Sequence, residues 1–236
     1  KRNPNISLCE LYGKLRVNYG YSRHASSLFR LLRKMNFYVN KEKHSKYVPK
    51  PYDTPTNIGI KWQMDVKYVP KDCYSGNDDE KFYQYTIIDE ASRERFIYPY
   101  KEQSSYSTVD FVKRAILYFG YKPLTIQTDN GQEFTHIKKT DRIHPLDALL
   151  NELNIKHQLI RPRTPRHNGK VERSHRNDQN RFYNYLKFYS YDDLLKQMKS
   201  YLNRSNNIPM QVLGWISPIE KRNILKEACA NAQLPN

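Results

Sequence analysis

The stretch IKWQMDVKYV, residues 60–69, decides how the rest of this chain is interpreted. β-Branched and aromatic residues recur in it in partial alternation, which is typical of a β-strand. Asp65 lies in the middle of the stretch, between Met64 and Val66, where a strand does not normally carry a carboxylate. Two explanations are open: an ion pair with Lys67 on a half-exposed strand, or an acid kept for function.

Strands and helices alternate after this first strand. Residues 82–89 and 95–100 have the pattern of an antiparallel hairpin. The later elements are a helix capped by Ser107 and ended by Gly120, a strand at 124–128, a helix opening at His144, a strand at 155–160 and helices after Gly169, over 191–202 and over 219–230. This order predicts an α/β fold with a mixed five-stranded sheet and helices on its faces.

The helix after Gly169 is predicted to be amphipathic only late in its length. Its first turns are polar, and an apolar stripe comes afterwards, as in a helix that leaves the core to line a cleft. The residues of that stripe are Phe182, Tyr185, Leu186 and Tyr189.

The residues before the sheet predict two short helices around Gly20, the second capped by Ser22 and carrying an apolar stripe of Ala25, Leu28, Phe29, Leu32 and Met35. The second helix carries the cations Arg23, Arg30 and Arg33, which is compatible with a DNA-binding helix-turn-helix, but any amphipathic helical hairpin has the same pattern. Four segments are expected: a helical DNA-binding part at 1–39, a basic proline-rich linker at 40–57, a core at 58–190 and a helical tail at 191–236.

The composition indicates a polyanionic partner. The chain of 236 residues has 40 Lys and Arg against 24 Asp and Glu, a formal charge of +16, and 20 tyrosines that offer stacking surfaces. Cations together with aromatic rings suit nucleic acid better than a membrane. Three separated cysteines, Cys9, Cys73 and Cys229, form neither a disulfide framework nor a zinc motif, so a reducing compartment is expected.

Two more acids stand at informative points. Asp129 follows the strand at 124–128, and Glu172 lies among cations near the start of a helix. Taken alone, the first is an ordinary turn residue and the second an ordinary surface charge. Because ends of neighbouring strands and the start of a covering helix converge, these acids and Asp65 can meet at one sheet edge.

A site made of three carboxylates offers only oxygen ligands, which would select Mg²⁺ or Mn²⁺. Two such ions about 4 Å apart support phosphoryl transfer. Asp89 is assigned a structural place instead.

Three ordered motifs resemble those of DDE transposases: WQMDV at 62–66, TDNGQEF at 128–134 and HNGKVER at 167–173. The resemblance is to bacterial insertion-sequence transposases with a retroviral-integrase-like core, and it covers residues 60–189, then more loosely 201–220. It implies a ribonuclease-H-like fold, Mg²⁺ (or Mn²⁺) held by Asp65, Asp129 and Glu172, and a homo-oligomer on DNA. It also implies cleavage at terminal inverted repeats followed by attack of the 3′ hydroxyl on target DNA.

The resemblance also implies DNA contacts around the third acid, from Arg166, Asn168, Lys170, Arg173, His175 and Arg176. A cytoplasmic, nucleoid-associated bacterial protein is expected, without membrane contact. Two features depart from the family: the interval from Asp129 to Glu172 is longer than usual by about two helical turns, with the excess placed at 136–145, and the zinc module of retroviral integrases is not recognisable. Spacing alone therefore leaves Glu152 and Asp178 as rivals of Glu172. A silent DNA-binding derivative and a metal-dependent nuclease remain alternative functions.

Overall fold

The computed structural model describes residues 6, 8–37, 53–76, 80–138, 140–160 and 168–232. The chain divides into two compact units, Lys1–Tyr52 and Asp53–Asn236. Most of the predicted linker, residues 40–52, lies outside the described residues. None of the helices in the described ranges is long and apolar enough to cross a membrane.

Among its described residues, 6 and 8–37, the first unit has two helices, α1 (Leu8–Tyr19) and α2 (Ala25–Lys34), as the sequence predicts. The connection passes through Gly20, whose φ of 64° lies in the left-handed region that glycine adopts without strain. The cap of α2 differs from the prediction. His24, and not Ser22, caps the helix, because its ring Nδ1 accepts a hydrogen bond from the backbone N–H of Ser26 at 3.2 Å.

Burial in α2 is confined to a narrow stripe. Leu28 and Leu32 are buried, whereas Phe29 and Met35, predicted to belong to the same stripe, are 41% and 67% exposed. Two residues four positions apart make a stripe that is one side chain wide, so the predicted apolar face is correct only along its centre. The cations Arg23, Arg30 and Arg33 are exposed, and their role in DNA binding stays a prediction.

The second unit is built on a five-stranded mixed sheet with the strand order β3-β2-β1-β4-β5, which confirms the predicted fold class. The strands are β1 (Lys61–Tyr68), β2 (Tyr83–Asp89), β3 (Arg95–Tyr100), β4 (Thr125–Thr128) and β5 (Lys156–Leu159). The first three pair antiparallel, and β4 and β5 run parallel to β1. The strand with the unexplained acid is therefore central and has a parallel neighbour on one side.

In the described part of this unit, five α-helices accompany the sheet: α3 (Ser105–Phe119), α4 (Pro145–Glu152), α5 (Gly169–Arg181), α6 (Tyr191–Asn206) and α7 (Pro218–Ala232). One apolar core joins the sheet to α3 and α4, and a second joins it to α6 and the segment after α5. Alternation along β1 separates two sides, since Trp62 and Met64 belong to the first core. Gln63 and Lys67, at the intervening positions, hydrogen-bond to α5.

Two helix boundaries differ from the sequence prediction. Ser104 caps α3, because its Oγ accepts from the N–H of Ser107 at 3.1 Å, and Ser107, the predicted cap, is buried within the first turn. Gly120 ends this helix at φ 71°, as predicted. α5 ends at Arg181, before the predicted stripe begins.

A 3-10 turn, Tyr183–Tyr185, follows α5 and divides that stripe. Phe182 and Leu186 are buried against α6, where the Phe182 ring stacks on Tyr201 with centroids 4.5 Å apart. Tyr185 and Tyr189 are 81% and 71% exposed. The tight turn therefore directs Phe182 and Leu186 into the core and leaves Tyr185 and Tyr189 in solvent. A continuous helix would have placed all four on one face.

The start of α7 is fixed by a capping box and an ion pair. Ser217 Oγ accepts from the N–H of Glu220 at 3.2 Å, and the Glu220 carboxylate accepts from the N–H of Ser217 at 2.6 Å. Arg222, one turn into α7, places Nη1 2.7 Å from Oε1 of Glu94, a fully buried residue just before β3. Burial raises the pKa of Glu94 to about 7, although the Arg222 charge opposes the shift.

Glu94 is expected to make stability depend on pH. An acid whose folded pKa lies above its ordinary value of 4.5 binds more protons folded than unfolded, so the free energy of unfolding falls as pH rises from about 4.5 through about 7. We expect Glu94→Gln to remove roughly 2 kcal/mol of that loss between pH 5 and pH 8. Urea unfolding at both pH values measures it. Glu227→Gln, at an exposed α7 position, is the matched control and should leave the pH dependence unchanged; identical slopes for wild type and Glu94→Gln would contradict the prediction.

Candidate active site

Asp65 lies on the side of β1 that faces α5. Its Oδ1 accepts from the N–H of Val66 at 2.9 Å, and its side chain is 20% exposed. Nδ1 of His175, on α5, lies 3.4 Å from Asp65 Oδ2. Nζ of Lys67, the partner considered from sequence, instead donates to Oε1 of Gln179 at 2.8 Å. The ion-pair explanation for Asp65 is therefore not what the structure shows.

Asp129 comes directly after β4, which pairs parallel with β1. Its Oδ1 accepts from the N–H of Gly131 at 2.9 Å, so it does form the turn that the sequence suggested. Burial raises its pKa, and the negative charge of Asp65 adds to the rise against the effect of the Gly131 hydrogen bond. Asp129 is thus both a turn residue and an electrostatic neighbour of Asp65.

Glu172 stands in the first turn of α5. Partial burial and the charges of Asp65 and Asp129 raise its pKa, while His175 and Arg176 oppose the rise. The three acids therefore share one electrostatic neighbourhood at the predicted sheet edge. Within the described ranges, no three His, Cys, Asp or Glu side chains are already grouped closely enough to hold a metal ion. As donors, carboxylate oxygens alone fit a hard divalent cation such as Mg²⁺ or Mn²⁺.

The rivals of Glu172 occupy other surroundings. Glu152 is the exposed last residue of α4. Asp178 is fully buried and forms an ion pair with Arg95 at 2.7 Å. The charges of Asp65 and Asp129 both act on Glu172 and add to the rise of its pKa, which favours Glu172 as the third acid.

Asp89 has the structural place predicted for it. It is fully buried at the end of β2, and its two oxygens accept hydrogen bonds from the N–H of Gly59 at 2.8 Å, from Trp62 Nε1 at 3.1 Å and from Ser92, through both N–H at 2.9 Å and Oγ at 3.0 Å. These bonds tie the β2–β3 turn to the start of β1.

The predicted DNA contacts on α5 fall into two groups. Arg173 and Arg176 are exposed beside Glu172. Asn168 is 2% exposed, its Nδ2 donates to the Met64 carbonyl at 3.4 Å, and Lys170 pairs with buried Glu90 at 2.6 Å. These two side chains are held inside the fold. Arg166 lies outside the described residues, and so does the rest of 161–167.

His175 was predicted as a DNA contact, and the structure gives it protein partners. Beside its approach to Asp65, Nε2 lies 3.0 Å from Thr86 Oγ1, and the side chain is only 12% exposed. A second histidine also stands near an acid: His157 Nδ1 is 2.6 Å from Asp147, and its Nε2 is 2.9 Å from Thr128 Oγ1, next to Asp129.

Sequence reasoning missed the polar residues that hold these elements together. Gln63, Gln84, Thr86 and Thr128 are all almost fully buried within strands. A buried polar side chain must find a hydrogen-bond partner. The only signal in the sequence is that such residues occupy strand positions where apolar ones are expected.

Comparison with known proteins agrees with this architecture. The integrase core domain family matches residues 56–165, and a second integrase core domain family matches residues 153–218. The ORF3 protein of Spiroplasma virus SpV1-C74, described as an inferred integrase, is 33% identical over 180 residues, covering 71% of this chain and 44% of that protein. The retrovirus-related Pol polyprotein from transposon RE2 of Arabidopsis thaliana is 26% identical over 136 residues, covering 55% of this chain and 9% of that protein. The chain thus spans less than half the length of these relatives.

Solved structures share the fold at low sequence identity. The HTLV-2 integrase catalytic core domain, in complex with magnesium and in a dimeric form, has a TM-score of 0.53 at 21% identity, covering 70% of this chain and 97% of that one. A chain of the simian T-cell lymphotropic virus intasome has a TM-score of 0.58 at 16% identity, covering 92% of this chain and 74% of that one.

The chain has the ribonuclease-H-like fold of retroviral integrase catalytic cores. Residues 56–165 and 153–218 are similar to the integrase core domain family.

Proposed function

We propose that this chain is a DNA transposase or integrase that cleaves DNA at the ends of a mobile element and joins the 3′ ends to target DNA. The observation that supports the proposal is that Asp65, Asp129 and Glu172 come from three different elements and that the charge of Asp65 acts on both of the other acids. Its relatives are described as an integrase and as a transposon polyprotein, which supports the same chemistry. A bacterial insertion sequence as the source, and action at the nucleoid in the cytoplasm, are parts of this proposal.

The three acids would hold a divalent metal, as Mg²⁺ is present in the HTLV-2 integrase structure. Mg²⁺ or Mn²⁺ bound there would supply the Lewis acidity that a phosphodiester displacement requires. Burial raises the pKa values of Asp129 and Glu172, and the negative charge of Asp65 adds to both rises, so a cation would be favoured among these carboxylates. His175, whose Nδ1 lies 3.4 Å from Asp65 Oδ2, would help to orient that carboxylate.

DNA is the proposed partner because the chain carries a formal charge of +16 and exposes cations beside the acids. Arg173 and Arg176 would bind phosphates near the reacting strand, and Arg23, Arg30 and Arg33 would act in recognition of the terminal inverted repeats. The HTLV-2 core has dimeric and trimeric forms, which supports a homo-oligomer holding two DNA ends.

The test uses the whole chain with duplexes that carry the inverted repeats flanking its gene. We expect nicking at the repeat ends and joined products with Mg²⁺ or Mn²⁺, and neither with EDTA. Salt-sensitive binding that tolerates EDTA, without any product, would instead identify a silent DNA-binding derivative. Cutting of an RNA–DNA hybrid in preference to the repeat ends would identify a nuclease.

A further inference from the structure

The N-terminus of α5 lacks a cap from its own residue. Asn168 occupies the N-cap position with φ −102° and ψ 16°, and its side chain makes no capping hydrogen bond. Its Nδ2 is directed to the Met64 carbonyl instead. A helix start that is buried, as this one is, needs another acceptor for its first N–H groups.

Gln63 on β1 supplies that acceptor. Its Oε1 accepts from the N–H of Lys170 at 3.1 Å and from the N–H of Val171 at 3.2 Å. These are the second and third residues of α5, whose N–H groups an N-cap side chain normally satisfies. A strand residue therefore caps a helix that begins more than a hundred positions later in the chain.

The orientation of the Gln63 amide is fixed by its other end. Nε2 donates to Oε1 of Glu90 at 2.8 Å, and Glu90 is fully buried after β2. Lys170 Nζ lies 2.6 Å from the other oxygen of Glu90. A flipped amide would turn its NH₂ toward two N–H donors and its oxygen toward a carboxylate, so only one orientation is compatible with these partners.

This cap connects the elements that carry two of the three acids. Gln63 lies two positions before Asp65 on the same side of β1, and Val171 directly precedes Glu172. Each displacement of the helix start along β1 would change the distance between the two acids. The only covalent route between them is the long chain through β2 to β5.

We propose that Gln63, held by Glu90 and Lys170, is a positioning residue that sets the separation of Asp65 and Glu172 for binding a divalent metal. The inference rests on the proposed function, since it assumes that these acids hold the metal. Gln63 itself touches neither the metal nor DNA in this proposal. It acts through the position of α5.

The test exchanges the amide of Gln63 and the carboxylate of Glu90, first one and then both. Gln63→Glu keeps an oxygen for the helix N–H groups but removes the donor to Glu90 and sets two carboxylates against each other. We expect Mn²⁺ affinity, measured by calorimetry without DNA, to fall at least tenfold, and the Lys170 and Val171 amides to exchange faster with deuterium. Adding Glu90→Gln restores one amide donor between the two positions, now directed from residue 90 to residue 63, and returns the net charge to that of wild type; Mn²⁺ affinity should return to within about threefold of wild type.

Two further variants separate positioning from stability. Gln63→Asn, one methylene shorter, withdraws the capping oxygen without adding a charge and should also weaken Mn²⁺ binding. Phe119→Leu, at the last residue of α3 and within the first apolar core, should lower stability and leave Mn²⁺ affinity intact.

The positioning role would be overturned if wild type, Gln63→Glu and Gln63→Asn bound Mn²⁺ with the same affinity, whatever that affinity is. It would also be overturned if Glu90→Gln did not restore the Mn²⁺ affinity of Gln63→Glu. These readouts do not involve DNA. Absence of strand transfer by the wild type, with the affinity pattern as expected, would count against the proposed function and not against the positioning role.

Discussion

Replacement of Glu172 by glutamine is expected to lower the rate of strand transfer roughly a thousandfold, which corresponds to about 4 kcal/mol of transition-state stabilisation. The amide keeps the size of the side chain but loses the charge that a divalent cation requires. Asp129→Asn is expected to have an effect of the same order, because Asp129 shares the same neighbourhood. The measurement is single-turnover joining of repeat-end DNA with Mg²⁺.

The same substitution should not unfold the protein. Burial and the charges of Asp65 and Asp129 raise the pKa of Glu172, so the charged form is already disfavoured when no cation is bound. Removing that charge relieves repulsion, and the metal-free variant should be at least as stable as wild type. Loss of activity together with retained stability is the pattern expected of a ligand.

Glu152→Gln is the matched control, because Glu152 is an exposed acid on α4 that spacing alone left as a rival. It should transfer strands at the wild-type rate. Full activity of Glu172→Gln, or an equal loss in both variants, would show that the third acid has been assigned wrongly.

The strands of the sheet could be predicted from the sequence because the signals for each strand and helix lie in residues that are neighbours in the chain. Alternation along β1, the hairpin after it and the later order of strands and helices all follow from neighbouring residues. The positions of Asp65 and Asp129 follow in the same way, since one lies within a strand and the other ends one. The parallel pairing of β4 with β1 then follows from the topology of the sheet.

The errors arise where distant residues decide the outcome. Ser104 and Ser107 are both able to cap, and only the buried position of Ser107 in the folded chain distinguishes them. Lys170 was predicted to contact DNA, and that role stays a prediction; its ion pair with Glu90, a residue 80 positions earlier in the chain, could not be found from the sequence around Lys170. The position of Glu172 relative to Asp65 likewise depends, in our proposal, on the cap from Gln63. No rule about residue spacing would identify Gln63 from the sequence.

The end of α5 shows the same limit and leads to a prediction about stability. Asp178, near that end, is fully buried and accepts from Gln84 Nε2 at 2.8 Å and from the Tyr201 hydroxyl at 2.8 Å, beside its ion pair with Arg95. Gln84 in turn accepts from the Tyr183 hydroxyl in the 3-10 turn after the helix. β2, β3 and α6 therefore converge on one carboxylate at the point where the predicted stripe fails.

Asp178→Asn is expected to lower the free energy of unfolding by about 3–5 kcal/mol, because it leaves the buried Arg95 charge without its counterion. The substituted amide also turns an NH₂ group toward donors that the carboxylate accepted. Thermal unfolding should begin roughly 10 °C lower, and urea unfolding gives the free energy directly. The amide creates almost no cavity, so the loss reports on charge and hydrogen bonding.

Glu80→Gln provides the comparison, since it removes a carboxylate of the same chemistry from a surface ion pair. Glu80 Oε1 lies 3.6 Å from Lys101, and the two side chains are 42% and 59% exposed. Solvent screens such pairs, so the expected loss is under about 1 kcal/mol. If Asp178→Asn cost no more than Glu80→Gln, the buried network could not be what ends α5 and orients the segment that follows it.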